Sequence, residues 1–446
     1  LGIVGYGSIA RQVAKRAAGT QPANPVIPDI LPAITYGGGD ELEWTSISPR
    51  IGLTYALGSD RKTLLRASAN RYVDQMGGFL VYGASPLYYG YVYMYFTDVN
   101  GNLRADAGEV DTTGGPFNNG IVAWAGLDPA KLGSPNSVYR WDPDMDPPHT
   151  DEFIVGLERE LMPNFVLGVN GTYRKLENIV QAMPEKTQGA GDYYTPADYE
   201  LLDTLSGTLP NGGPSYSGIE VYDLKEGIAP PVYYVFRNRP DYGQTYQGLE
   251  LMATKRMSNR WMARASLTLQ DWTQELGSGG VVDPTRQRFS YGCSSCDGSA
   301  VVQGSGTGSG AKGGIYINSN WAYNLTGVYQ VPVIETSIGF NLTGRQGYPL
   351  PYVRRVPTSE GRKAVLVVDE VDEYRLPNVN NLDLRVAKDI NLGPTALTLS
   401  VDVFNALNSD TTLQRNLDAR TWDRNQNRVF EILSPRVFRL GARLTF

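Results

Sequence analysis

The residues best spaced for chemistry lie in one polar run, Asp98-Val-Asn100-Gly-Asn102-Leu-Arg-Ala-Asp106-Ala-Gly-Glu109. Oxygen-bearing side chains fall at positions 1, 3, 5, 9 and 12 of it, the ligand spacing of an EF-hand-type loop. Hard, flexible oxygen sites of this kind suit calcium. Asp98, Asn100, Asn102, Asp106 and Glu109 are therefore the expected metal ligands, and calcium is the only cofactor the sequence suggests. Leu103 stands where the sharp-turn glycine belongs, with Gly101 nearby, so a solvated polar loop is the alternative. A second acidic run, Asp142-Pro-Asp144-Met-Asp146, is held extended by its prolines and is a weaker metal candidate.

Three other constellations are weighed against chemistry. Gly5-x-Gly7-x-x-Ala10 follows a short apolar stretch, and Arg11 to Ala18 could form the helix that follows it. This spacing resembles the dinucleotide fingerprint of Rossmann dehydrogenases, which would make the chain an oxidoreductase. The context is wrong: Pro22, Pro25 and Pro28 fall where a second strand should run. A Gly-containing segment and loop ahead of the first strands is the plainer reading. Cys293 and Cys296, in Cys-Ser-Ser-Cys, lie in a Gly/Ser-rich loop and read as a short-range disulfide of an exported protein. A redox motif would need a helix start after the first Cys, and one pair alone cannot complete a four-ligand zinc site. His149 is the single histidine, no Gly-x-Ser-x-Gly elbow occurs, and we expect no enzyme.

The elements that would position these residues are strands. From Phe438 to Phe446 the chain alternates strictly: Phe438, Leu440, Ala442, Leu444 and Phe446 are apolar, with Arg439, Gly441, Arg443 and Thr445 between them. One face is wholly apolar, the other carries guanidiniums, and the strand finishes flush on an aromatic. Lipid on one side and a wet lumen on the other would explain all three features. The last ten residues also match the roughly 9–11 needed to cross a bilayer at a tilt.

The same alternation recurs upstream. Ile51, Leu53 and Tyr55 turn through Leu57–Arg61 into a strand with Leu65, Ala67 and Ala69 against Arg66, Ser68 and Asn70. Thr150–Glu160 turns into Phe165–Tyr173, and Tyr246–Lys255 into Trp261–Trp272. Trp321–Val331 meets Ile334–Leu342; Leu382, Leu384 and Val386, then Leu397, Leu399, Val401 and Val403, complete the pattern. Arg385, Arg436, Arg439 and Arg443 should sit in the lumen, paired with carboxylates such as Asp383 and Asp402. The turns inside hairpins are short. Between hairpins lie long stretches rich in Gly, Pro, Asp and Tyr: 97–148, 181–231 and 274–313. Tyr88, Tyr89, Tyr91, Tyr93 and Tyr95, with Tyr193, Tyr194 and Tyr199, could stack on sugars or contact peptides. An interfacial aromatic girdle is the alternative.

The expected fold is all-β: a transmembrane antiparallel β-barrel of the bacterial outer membrane, with short periplasmic turns and long extracellular loops. Roughly twelve to fourteen strands fit the alternation. Composition agrees. The chain has 446 residues and a net charge of -6, which argues against a nucleic-acid partner. It has no apolar run long enough for a membrane helix, and 28 Tyr with 50 Gly suit many strands and turns. Leu1 is not an initiator Met, so we expect a fragment or processed product lacking an N-terminal part.

Four stretches also resemble a known family. Ser48-Pro-Arg-Ile-Gly-Leu-Thr-Tyr55, Thr150-Asp-Glu-Phe-Ile-Val-Gly-Leu-Glu-Arg-Glu160, Val403-Phe-Asn-Ala-Leu-Asn408 and Leu433-Ser-Pro-Arg-Val-Phe-Arg-Leu-Gly441 with Phe446 resemble TonB-dependent outer-membrane receptors, in particular the Oar-like branch. The resemblance implies a barrel closed around a plug, importing scarce nutrients with energy from the periplasmic coupling protein TonB. Nothing here matches the plug or coupling box, so the chain reads as the C-terminal barrel portion over 1–446, without the plug domain. Expected partners are outer-membrane lipid, TonB through the missing part, and a surface lipoprotein. A non-transporting surface or assembly component is the alternative.

Overall fold

The computed structural model describes residues 2–446 except 16–17, 37, 39–40, 78–90, 126–127, 134–138, 211–212, 240, 278–279, 288–316 and 420–426. Cys293, Cys296, Tyr88 and Tyr89 lie outside the described residues.

Twelve antiparallel strands form one wall, each paired with the next along the chain. They are β1 (Gly2–Lys15), β2 (Glu41–Leu57), β3 (Thr63–Val73), β4 (His149–Met162), β5 (Phe165–Glu177) and β6 (Gly243–Ser258). The second half comprises β7 (Trp261–Glu275), β8 (Trp321–Val331), β9 (Thr336–Arg345), β10 (Val379–Asn391), β11 (Ala396–Phe404) and β12 (Val437–Thr445). Among the described residues, β1 and β12 are the two edges of the sheet. No described helix is long and apolar enough to cross a membrane; strands do the crossing.

The period-2 pattern fixes which side faces what, because a one-residue slip would turn every apolar side chain inward. Leu167 and Val169 of β5 share a face with Val155 and Leu157 of β4 and with Leu249 and Leu251 of β6. Toward the C-terminus the face continues through Ile338, Phe340, Leu384, Val386, Leu399, Val401, Leu440 and Leu444, and most of these side chains are exposed. An uncovered apolar belt of this extent exceeds what a soluble monomer carries. Aromatic residues bound it on both sides: Tyr55, Phe165, Trp261 and Tyr329 at one end, Phe153, Tyr173, Trp321 and Tyr323 at the other. Trp261 to Leu269, opposite Tyr329 to Trp321, spans about 26 Å along the strand. Strand tilt shortens that to near the height of a bilayer's apolar band.

All the short connections lie at the Trp261 end. β6 and β7 are joined by Asn259 and Arg260 at φ 50 and 69, the two left-handed residues of a type I′ hairpin turn, whose twist matches the strands. The other end carries the long connections, including 74–148, 178–242 and 346–378.

These loops are not the irregular polar stretches the sequence suggested. They contain their own strands, among them the hairpins Tyr199–Thr208 with Ser215–Leu224 and Val353–Thr358 with Gly361–Leu366. The principal buried core is here, around Leu205, Val221, Leu350, Val353, Val365 and Leu417. The physical reason is simple. The wall shows its apolar face to lipid and a mainly polar face to the lumen, so among the described residues most of the buried apolar side chains come from the loops, with Leu42 and Trp44 of β2 packed against them. Polar ties lock the two hairpins together: Tyr199 donates to Glu360 at 3.2 Å, Ser359 N donates to Asp223 at 2.9 Å, and Lys363 Nζ donates to the Tyr222 carbonyl at 3.1 Å.

The N-terminal segment corrects the dinucleotide reading. β1 runs unbroken through Gly5, Gly7, Ala10 and Arg11–Lys15, paired with β2 from Gly2↔Thr54 to Lys15↔Glu41. The stretch read as a helix is strand, so no helix N-terminus exists there for a pyrophosphate. It is also a wall strand rather than a segment ahead of the wall. Arg11 instead holds Glu43 through Nε and Nη2, both at 2.7 Å.

Candidate functional site

The lumen face carries a belt that no local motif announces. Tyr6, Arg50, Asn70, Glu152, Arg174, Tyr246 and Trp272 stand on β1 to β7, each directly opposite the next in register. Each lies one residue from an outward position such as Ile51, Ala69, Phe153 or Tyr173, so alternation points it inward. Glu152 is the pivot. Only 5% of it is exposed, and its carboxylate accepts from Arg174 Nε at 2.5 Å, Asn70 Nδ2 at 3.2 Å and Tyr72 OH at 3.2 Å. A buried carboxylate needs several such donors. The Arg174 guanidinium also lies 5.4 Å from the Tyr246 ring centre, and that of Arg50 4.6 Å from Tyr72.

Where the belt meets the loops, a cavity of about 340 Å³ opens among Arg174, Gln244, Tyr246, Gln270, Trp272 and Asn318. Tyr246 OH donates to Gln270 Oε1 at 2.9 Å, Gln270 Nε2 donates to the Ser319 carbonyl at 2.6 Å, and the buried Gln244 donates to Tyr242 OH at 2.6 Å. Tyr246, Gln270 and Gln244 are thus held in place before any ligand arrives. A guanidinium, three amides and two aromatic faces can orient a polar ligand that has flat or ring-shaped parts.

The expected calcium ligands share one hydrogen-bonded loop, but the cluster of three ligand-type His, Cys, Asp or Glu side chains found among the described residues lies elsewhere, at His149, Asp151 and Glu177. Asp98 Oδ1 accepts from Gly101 N at 2.7 Å and Asn102 N at 3.1 Å, and Oδ2 from Leu103 N at 2.9 Å. Asn100 and Asn102 both donate to Asp106 Oδ2, at 2.7 and 2.6 Å. Glu109 closes the loop, accepting from Val99 N at 3.0 Å and Asp106 N at 3.1 Å. Side-chain bonds from Asn100 and then Asn102 hold the Asp106 carboxyl below its usual range. Leu103 takes φ 60 at the glycine position, so the turn forms at some cost in strain. Turning the two Asn amides over would present Oδ1 of each to an ion.

Other sequence candidates serve structure. In the 142–146 run, Asp142 accepts from Asp144 N, Asp146 N donates to Asn238, and the Met145 carbonyl takes the Trp44 indole N–H at 2.7 Å. This strap is packed into a loop cluster. Tyr194 and Tyr199 are buried together with Leu224, forming neither a girdle nor an open binding surface. Tyr93 and Tyr95 are exposed. Tyr193 lies under the Arg237 guanidinium at 5.2 Å. Asp402 takes Arg385 at 2.8 Å and Arg439 at 3.0 Å, as expected of luminal arginines. Asp383 instead accepts from Asn405 N and Asn381.

Sequence reading missed the belt because its members are scattered over seven strands. Only Asn70 was read on a polar face, and only the registers bring the seven into a row.

Comparison with solved structures finds outer-membrane transporters and receptors. The outer membrane transporter YddB from Escherichia coli matches at 12% identity and a TM-score of 0.44, over 90% of this chain and 42% of that one. The ferric-catecholate import receptor Fiu from E. coli matches at 12% and 0.44, over 92% and 36%. A variant of the ferric enterobactin receptor from Pseudomonas aeruginosa matches at 14% and 0.43, over 91% and 42%. The chain therefore spans less than half the length of these solved chains. No curated protein matches. The family described as outer membrane beta barrel domain matches residues 35–343. Together with a wall whose apolar face is open to lipid, that match shows that this chain belongs to the outer membrane beta-barrel family and resides in the outer membrane.

Proposed function

We propose that the chain is the barrel portion of a TonB-dependent-type receptor of the Oar-like branch, which binds a substrate at the loop end of its lumen and imports it. The cavity between Arg174, Tyr246, Gln270 and Trp272 carries this reading. It lies inside the wall, directly under the loops, with Arg174, Gln244, Tyr246 and Gln270 held by hydrogen bonds. Energy would come from TonB acting through a plug and coupling box that belong to a longer chain. Calcium on Asp98, Asn100, Asn102, Asp106 and Glu109 would order the loop between β3 and β4, and a surface lipoprotein would dock over the loops.

The test is a binding screen on the full-length protein in detergent, followed by Trp fluorescence, with oligosaccharides, short peptides and ferric chelates as probes. A probe that binds saturably to the wild type and at least tenfold more weakly to Trp272→Ala and Arg174→Met supports a receptor. No binder that depends on either residue would sink this site.

One observation favours a second reading, a non-transporting surface or assembly component. The loops have a hydrophobic core of their own, as a presented binding module would. Deleting the gene separates the two readings: loss of solute uptake with an unchanged surface proteome fits the receptor, and the reverse fits the component.

A further inference from the structure

We infer that the ligand of the lumen cavity is an acidic saccharide, with its rings on Tyr246 and Trp272 and one carboxylate or sulfate on the Arg345 guanidinium. This names the substrate class of the receptor site described above and rests on that reading.

The charge comes first. Phe340 and Leu342 point outward, so alternation turns Arg345, the last residue of β9, toward the lumen. Its Nη1 donates to the Gln346 carbonyl at 3.1 Å, and its guanidinium lies 3.6 Å from the Tyr348 ring centre. Among the described residues this half-buried cation takes part in no ion pair. The Gln346 carbonyl also accepts from Ser319 Oγ at 2.8 Å, and the Ser319 carbonyl accepts from Gln270 Nε2 at 2.6 Å. Arg345 is thus tied, bond by bond, to the side of the cavity formed by Gln270 and Asn318. Two neighbouring arginines are already balanced, Arg174 by Glu152 at 2.5 Å and Arg375 by Asp372 at 2.6 Å. Glu250 shares a cross-strand row with Arg345, but three strand spacings, about 14 Å, separate them. A half-buried guanidinium without a carboxylate is poorly compensated, and a ligand that brings one acidic group completes it.

The rings and amides set the class. Tyr246 stands directly opposite Trp272. A Cβ built on Gly248, two residues along the same face, would come within 2.6 Å of the Tyr246 hydroxyl and 3.0 Å of its ring. Glycine there lets the ring lie over the wall, with its hydroxyl on Gln270, the residue opposite Gly248. Sugar rings offer an apolar C–H face to such a platform and hydroxyls to the Gln244 and Gln270 amides. An extended peptide would seek unpaired main-chain groups, which the described wall offers only at its edges, β1 and β12. A highly charged metal chelate would meet one uncompensated guanidinium. A ring ligand with a single acidic group at this point matches the site.

Calorimetric titration of the full-length protein in detergent with trigalacturonate, its methyl ester and a sulfated galactose trisaccharide tests this. The wild type should bind one of the two acids at least tenfold more tightly than the ester, and the tighter acid identifies the group. Arg345→Met should bring that acid down to the affinity of the ester and leave the ester unchanged, while Arg345→Lys keeps part of the preference. Added salt should weaken the acid and not the ester. Heat-modifiable mobility on gels confirms that each variant is folded. Equal binding of acids and ester by the wild type would overturn the inference, as would an acid preference that survives in folded Arg345→Met. A ferric chelate or neutral sugar that binds through Trp272, with no acid bound more tightly, would overturn this inference alone and leave the receptor reading standing.

Discussion

Replacing Leu251 by arginine should cripple membrane folding, while the same change one residue away should not. Leu251 is 42% exposed on the outward face, between Val169 of β5 and Leu267 of β7 and within the apolar band. Met252 points the other way, into the polar lumen beside Ser266. An arginine on the lipid face deep in the bilayer costs about 2–4 kcal/mol, falling toward zero at the interfaces. At about 1.4 kcal/mol per decade, this is roughly a 30- to 700-fold loss in the folding equilibrium. The luminal arginine keeps its water, and its cost should stay within about 1 kcal/mol. Urea-titrated folding into liposomes, read as the fraction of heat-modifiable protein, measures both. The reasoning is refuted if Met252→Arg is the more damaging change or if the two are equal.

Three further outcomes follow from particular groups. Arg174→Met removes the closest donor to the buried Glu152 and leaves Asn70 and Tyr72; the urea midpoint should fall by the equivalent of about 1–3 kcal/mol, and adding Glu152→Gln should recover part of it. In the loops, burial alone would raise the Glu185 carboxyl, but bonds from Arg140 and from the Gly189 and Gly191 N–H groups outweigh it and hold it below its usual range. A depressed carboxylate stabilises the fold above its unfolded pKa and loses that contribution as pH falls through the folded value. Hydrogen exchange across Val180–Glu185 should therefore accelerate below about pH 4, with a smaller pH response in Glu185→Gln. Calcium should raise the thermal midpoint of the wild type, as any ligand of the folded state does, and leave Asp98→Ala unmoved; scanning calorimetry with and without chelator decides it.

Legibility in the sequence tracked how local each determinant was. β12 and the hairpins of β2–β3, β4–β5 and β6–β7 were readable because alternation is written residue by residue. β1 was misread because Gly5, Gly7 and Ala10 weaken its alternation and copy a turn motif; only pairing with β2 makes it a strand. The loop hairpins were read as irregular because they sit in long polar stretches rich in Gly and Pro, and they pack around Val221, Val353 and Leu417, which are remote in sequence. The polar turn at 98–109 was legible as a unit because its residues lie within twelve positions and bond to one another. The Glu152–Arg174–Tyr246–Trp272 row was not, since its contacts exist only once three hairpin and loop connections have set the register.

The most direct test of the central claim is cysteine labelling in intact cells with a membrane-impermeant maleimide, in a background where Cys293 and Cys296 are serine. Arg104→Cys, in the β3–β4 loop, should label in whole cells. Asn259→Cys, in the tight turn between β6 and β7, should label only after the outer membrane is opened. Labelling of Asn259→Cys in whole cells, or equal labelling of both in a soluble fraction, would contradict a wall that crosses the outer membrane with its long loops outside.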